Sequence, residues 1–187
     1  MSLLADSRFR VAPSQIRSAT IVVVLLLMRA FPSAQDVTAP ALKAAFIHNF
    51  AKFTEWPADV VPAAEPLIMC VLGDAAVGEA LAREVKATQL GGHILTVSLL
   101  EPGGPPRVCH ILYVSGVTSG QAAQAVAQVR DTPVLTISDI EGFPALGGIA
   151  QFFFERGRLH FSVHLESVKR ARLKISSRLL VLATPHD

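Results

Sequence analysis

Four short runs of mostly apolar residues, spaced along the chain with helical patterns between some of them, constrain its fold most strongly. The runs occupy residues 67–72, 93–100, 111–115 and 134–137. A strand that is apolar on both sides belongs in the middle of a covered sheet. Helical patterns at 77–87 and 121–130 alternate with these strands, which favours parallel βαβ units. We therefore expect an α/β fold, a three-layer sandwich with a mostly parallel central sheet.

The last quarter of the chain has a different pattern. Residues 149–155 and 158–165 flank Arg156-Gly157, a two-residue connection that is typical of tight hairpins. The second arm alternates strictly between apolar and polar residues, so one of its faces packs and the other meets solvent. We expect a C-terminal β-hairpin, followed by short helices near 166–171 and 176–183.

Residues 38–54 are predicted to form the first helix, with Thr38 as its cap and Pro40 in its first turn. The helix should end at Trp56-Pro57, because the residue before a proline avoids the α region. This segment carries more aromatic surface than one core stripe requires. We predict that part of it contacts a partner or a second copy, through Phe46, Ile47, Phe50, Phe53 and Trp56.

The first 34 residues resemble a secretory signal. They contain three arginines before residue 18, an aliphatic run over 19–28 and small residues at 31–34. About ten apolar residues are too few to cross a bilayer core, although an uncleaved membrane anchor is the alternative. We expect a signal peptide at 1–34 and a single α/β domain at 35–187, exported to the periplasm.

Charge argues against a nucleic-acid partner. The full chain has 17 basic and 15 acidic residues, and residues 1–34 hold four of the basic and one of the acidic ones. The remaining chain therefore has 13 basic and 14 acidic residues, a net charge of −1, which does not favour binding to nucleic acid.

The chain has two cysteines, Cys70 and Cys109, near the starts of two predicted strands. An even count in an oxidising compartment predicts a disulfide, and two buried free thiols are the alternative. Neither cysteine belongs to a CxxC pair, which disfavours a thiol-redox enzyme.

The polar face of the hairpin is the candidate ligand site. Glu155, Arg158, His160 and His164 could together hold a phosphate or carboxylate, whereas a solvated edge without function is the alternative. The two histidines are about 13 Å apart on one strand, too far to share a metal ion. We predict no metal and no cofactor.

No catalytic signature is present in the sequence, and we predict that the protein is not an enzyme. Asp74, Asp139 and Glu141 lie at predicted strand ends, where ligand sites form in α/β proteins. Capping and turn roles explain these three acidic residues equally well.

Several segments together resemble the YfiR-like periplasmic family. The opening segment is AAFIHNFAKFTEWP at 44–57, and the closing one is ARLKISSRLL at 171–180. Shorter similarities lie at 70–74, 109–112 and 147–148. The resemblance implies a compact α/β periplasmic protein that represses an inner-membrane diguanylate cyclase of the YfiN type by binding its periplasmic part. It also implies a homodimer and binding of a small ligand such as GMP.

The chain departs from the family pattern in two ways, and these departures limit which family properties can be expected of it. The chain has no cysteine after Cys109, so a second, C-terminal disulfide switch is absent. His164-Leu165 stands where the family pattern has Asn-Leu. We predict a regulator that binds a membrane-bound cyclase, with a sensor of a nucleotide or another anion as the alternative.

Overall fold

The computed structural model describes residues 38–62, 65–103 and 109–184. The predicted signal peptide at 1–34 lies outside these residues. Within them, no helix is both long enough and apolar enough to span a membrane.

The first helix, α1 (Ala39–Lys52), begins and ends close to the predicted residues. The Thr38 hydroxyl accepts a hydrogen bond from the N–H of Ala41 at 3.4 Å, and Pro40 lies in the first turn. After Phe53 the chain becomes extended and forms the short strand β1 (Thr54–Glu55).

The following elements form one seven-stranded sheet and the helices that connect its strands. In chain order they are β2 (Leu67–Leu72), α2 (Ala75–Glu84), β3 (Gln89–Leu90), β4 (His93–Leu100), β5 (Ile111–Val114), α3 (Ser119–Val129), β6 (Leu135–Ser138), a 3-10 turn (Phe143–Leu146), β7 (Ala150–Glu155) and β8 (Arg158–Val163). The strand order is β3-β4-β2-β5-β6-β7-β8.

The sheet is mixed, which corrects the prediction of a mostly parallel sheet. Strands β4, β2, β5, β6 and β7 pair in parallel, whereas β3 and β8 pair antiparallel at the two edges. Both edge strands come from tight hairpins, and a two-residue connection can join only antiparallel strands. The α/β class and the C-terminal hairpin are confirmed.

Alternating side chains of the central strands enter two separate apolar clusters. Met69 and Tyr113 belong to the cluster that includes residues of α1 and α2. Cys70 and Leu112 belong to the cluster that includes residues of α3. This alternation explains why the central strands are apolar throughout. The three-layer arrangement stays a prediction.

Side-chain caps fix the starts of two helices. The Asp74 carboxylate accepts from the N–H of Val77 at 3.1 Å and caps α2. Thr118 and Gln121 form a capping box at α3, in which the Thr118 hydroxyl accepts from Gln121 N–H at 3.2 Å and the Gln121 side chain accepts from Thr118 N–H at 2.9 Å. A threonine followed three residues later by a glutamine is the sequence signature of such a box.

The hairpin turn has the geometry that its sequence predicted. Arg156 and Gly157 both have positive φ, 49° and 76°, as the two central residues of a type I′ turn require. The chain then forms α4 (Leu165–Arg170), β9 (Lys174–Ile175) and α5 (Ser177–Leu180). Strand β9 pairs antiparallel with β1 and forms a second, two-stranded sheet.

Candidate functional site

The aromatic residues of the first helix have two different environments. Ile47 and Phe50 have no exposed surface, and the Phe50 ring lies 4.9 Å from that of Phe161. These two residues belong to the core, which corrects their assignment to a partner or dimer surface. Phe46, Phe53 and Trp56 are half-buried against the same core. A contact of these three with a partner stays a prediction.

The hairpin separates the residues of the predicted anion site. Glu155 and Arg158 are exposed and face each other next to the turn, and His160 stacks on Phe153 with ring centroids 5.8 Å apart. His164 lies beyond the other end of β8, about 20 Å from Arg158 at the rise of an extended strand. The four side chains therefore cannot hold one small anion together.

His164 has a local role at the start of α4. It occupies the N-cap position of that helix, and its Nδ1 lies 2.9 Å from the hydroxyl of Ser167. Its backbone N–H donates to the carbonyl of Ile149. The imidazole is thus held at the helix start and does not lie on the polar face of the hairpin.

Cys70 and Cys109 form a disulfide, as predicted, with their Cα atoms 5.8 Å apart. Cys70 is the fourth residue of β2, and Cys109 lies two residues before β5, the neighbouring strand. Both residues are buried. The bond ties the connection that enters β5 to the middle of β2.

A groove of about 240 Å³ lies where the parallel strands β2 and β4 begin. We call it the tryptophan groove. It is lined by Thr54, Glu55, Trp56, Pro57, Ala58, Val61, Leu67, Leu90, Gly91 and His93. Most of these side chains are apolar, and His93 and Glu55 add polar groups, a composition that is typical of small-molecule sites.

A buried histidine positions the tryptophan of this groove. The indole Nε1 of Trp56 donates to the carbonyl of His110 at 3.2 Å, and the same carbonyl accepts from the N–H of Leu135. The Nδ1 of His110 accepts from the N–H of Ile68 at 3.0 Å, so its proton is on Nε2. Burial lowers the pKa of His110, and this imidazole is therefore neutral at neutral pH.

The opening and closing sequence segments meet beside the groove. Thr54 pairs with Ile175 and Glu55 with Lys174, where β1 and β9 form their antiparallel ladder. The N–H of Ser176 donates to the carbonyl of Phe53 at 2.8 Å. Two segments that are more than 100 residues apart in sequence therefore form one structural unit next to Trp56.

Sequence reasoning found Trp56 but missed His93 and His110. His93 is the first residue of β4, and its Nδ1 donates to the carbonyl of Glu65 at 2.7 Å. Each of the two histidines lies at the start of a strand. This position is the sequence feature that could have identified them as candidates. In the part of the chain that the structure describes, no group of three histidine, cysteine or acidic residues could hold a metal ion.

The fold is a small α/β domain with a buried disulfide and a groove beside Trp56. A family model described as YfiR/HmsC-like matches residues 40–184. The chain belongs to this family, and the match includes both of the segments that meet beside Trp56. No curated protein matches the chain.

Proposed function

We propose that this protein is a periplasmic regulator of cyclic di-GMP signalling. It binds the periplasmic part of an inner-membrane diguanylate cyclase of the YfiN type and holds the cyclase in an inactive arrangement, without catalysing a reaction itself. The family match over residues 40–184 carries this proposal. The two family segments also form a single structural unit, which supports the match.

Export to the periplasm is supported by two separate features. Residues 1–34 have the order of a secretory signal. The Cys70–Cys109 disulfide requires an oxidising compartment to persist.

Besides Phe46, Phe53 and Trp56, we propose a second partner surface in the C-terminal third of the domain. Phe154 and Leu165 are about half exposed, and Val181 and Leu182 are exposed by 77% and 67%. The segment after α5 runs beside the hairpin, because the N–H of Thr184 donates to the carbonyl of Phe161 at 2.9 Å. Val181 and Leu182 are neighbours in sequence, and exposed apolar side chains that lie next to each other are typical of protein–protein contacts.

Leu182→Asp is expected to weaken capture of the cyclase at least tenfold, because it places a charge where an apolar contact forms. The measurement is crosslinking in intact cells, followed by affinity capture of the full chain and identification of bound membrane proteins. Ile94→Asp is the matched control, since Ile94 is 59% exposed on β4, at the other end of the sheet. Equal capture by wild type and both variants would exclude this surface, and capture of no cyclase by the wild type would exclude the proposal.

A small-ligand sensor is the second candidate function, and the tryptophan groove favours it. The chain has one tryptophan, so its fluorescence reports on this groove alone. A nucleotide that enters the groove is expected to change the emission of Trp56 in a saturable way, measured by titration with GMP. Emission that stays constant up to millimolar GMP, or a change that follows ionic strength alone, would contradict nucleotide sensing here.

A further inference from the structure

His110 joins three segments that surround the tryptophan groove. Its carbonyl accepts from the indole N–H of Trp56 at 3.2 Å, and its Nδ1 accepts from the N–H of Ile68 at 3.0 Å. Its imidazole also hydrogen-bonds to the backbone of Val60. Trp56 itself lines the groove, and Val60 and Ile68 each adjoin a residue that lines it. The position of this wall of the groove therefore depends on contacts of His110.

The backbone of His110 is held in place by its neighbours. Its N–H donates to the carbonyl of Ile68 at 2.8 Å, and its carbonyl accepts from the N–H of Leu135 at 2.9 Å. The preceding residue, Cys109, is bonded to Cys70. A change in the charge of the imidazole is therefore expected to move the side chain and what it touches, while β5 stays where it is.

The hydrogen bond to Ile68 requires a neutral imidazole. Nδ1 accepts this bond, so a proton on Nδ1 would place two N–H donors against each other. His110 is only 5% exposed, and a buried donor without an acceptor is costly. Burial lowers the pKa of His110 and the nearby His93 lowers it further, whereas the bond to the Val60 backbone opposes this shift.

The charged surroundings of His110 are dominated by one other histidine. Strands β2 and β6, which pair with β5, contain no charged side chain. Tyr113 in β5 has a pKa that burial raises, and it stays neutral. His93, at the start of β4, is the group whose charge affects the pKa of His110. Other charged residues in the described segments before β2 and β6 are exposed: Glu55, Asp59, Glu65, Arg130 and Asp131.

His93 differs from His110 in how it would respond to acid. Its Nδ1 donates to the carbonyl of Glu65 at 2.7 Å, and this N–H is present in both the neutral and the charged ring. Protonation of His93 therefore leaves its hydrogen bond intact. Of the two histidines, only His110 loses a contact when it takes up a proton.

We propose that acid opens the tryptophan groove through protonation of His110. The charged ring turns away from the N–H of Ile68 and gives up its bond to Val60, and residues 57–62 then move away from the start of β5 together with Trp56. The neutral ring keeps the groove in the form described above. The proposal does not depend on either candidate function, since it concerns the groove of the protein alone.

The emission of Trp56 in a pH titration of the exported chain tests this proposal. The chain has one tryptophan, so the signal reports on the groove. As the pH falls, the emission maximum is expected to shift to longer wavelength over about two pH units, with a midpoint below that of an exposed histidine, about 6.5. Circular dichroism shows over which pH range the chain stays folded. Emission that stays constant until acid unfolds the chain would overturn the proposal.

Nuclear magnetic resonance links the two residues in the wild type. The imidazole signal of His110 and the indole N–H signal of Trp56 should titrate with the same midpoint. If the imidazole titrates and the indole signal does not move, protonation does not open the groove and the proposal is wrong.

Two variants separate the roles of the histidines. In His110→Asn the amide oxygen can accept from the N–H of Ile68 but takes up no proton, so the emission shift should be lost. His93→Gln should keep the shift and move its midpoint to higher pH, because it removes a charge that lowers the pKa of His110. Loss of the shift in His93→Gln, or its retention in His110→Asn, would contradict the proposal.

Thermal unfolding provides a second readout of the same proton. The pKa of His110 is lower in the folded chain than in the unfolded one, so the unfolded state binds more protons below about pH 6.5 and stability falls as the pH drops through this range. The Tm of the wild type should therefore fall more steeply with decreasing pH than that of His110→Asn. An equal fall in both proteins would show that His110 does not carry the pH response.

Discussion

Replacing Phe50 by alanine is expected to lower the free energy of unfolding by about 3–5 kcal/mol, the usual cost of truncating a buried phenylalanine. Phe50 has no exposed surface, and its ring lies 5.6 Å from that of Phe152 and 4.9 Å from that of Phe161. Removal of the ring leaves a cavity between α1 and the strands of the hairpin. Urea unfolding monitored by circular dichroism measures the change.

Phe53→Ala is the matched control for this variant. Phe53 ends the same helix but is only half-buried, so its truncation should cost less than half as much. If Phe50→Ala costs under 1 kcal/mol and instead abolishes capture of the cyclase, Phe50 belongs to a partner surface after all.

Removal of the disulfide is expected to have the second largest effect. Cys70 and Cys109 close a loop with a sequence separation of 39. In the chain-entropy account, such a crosslink stabilises by about 4 kcal/mol. For a domain of this size, the double variant Cys70→Ala with Cys109→Ala should unfold roughly 10 °C lower than the wild type.

The reduced wild type provides the comparison for the double variant. Dithiothreitol should lower the Tm of the wild type and leave that of the double variant unchanged. A wild-type Tm that does not respond to reduction under denaturing conditions would show that the two cysteines are not bonded in the protein.

Local patterns in the sequence predicted the elements whose cause is local. The turn at Arg156-Gly157 and the start of α1 each depend on residues a few positions apart. The disulfide was also predictable, because Cys70 and Cys109 adjoin apolar strands that are neighbours in a parallel sheet.

Features that depend on contacts between residues far apart in sequence could not be predicted from local patterns. Whether Phe50 faces the core or a partner is decided by Phe152 and Phe161, which lie about a hundred residues later. The sheet is mixed because β3 and β8 both pair antiparallel at its edges. The hairpin with β8 was predicted, whereas β3 has only two residues and no apolar run indicated it.

The candidate sites also differ in whether their features depend on local sequence or on residues far apart in the chain. Trp56 could be singled out by its residue type. Its hydrogen bond to the His110 carbonyl depends on how the start of β5 lies beside the segment that contains Trp56. The prediction that four hairpin residues form one anion site was wrong. The alternating pattern placed His164 on β8, whereas this strand ends at Val163. Asp74 and Asp139 were noted at strand ends. The structure gives Asp74 a capping role at α2 and pairs Asp139 with Lys43, a residue far away in sequence.

Cellular cyclic di-GMP in a strain that lacks this protein tests the central claim most directly. If the protein represses a membrane-bound diguanylate cyclase, its deletion should raise cyclic di-GMP several-fold. Expression of the full chain should restore the original level, and a version without residues 2–34 should not. A cyclic di-GMP level that is unchanged or lower after deletion would contradict the account.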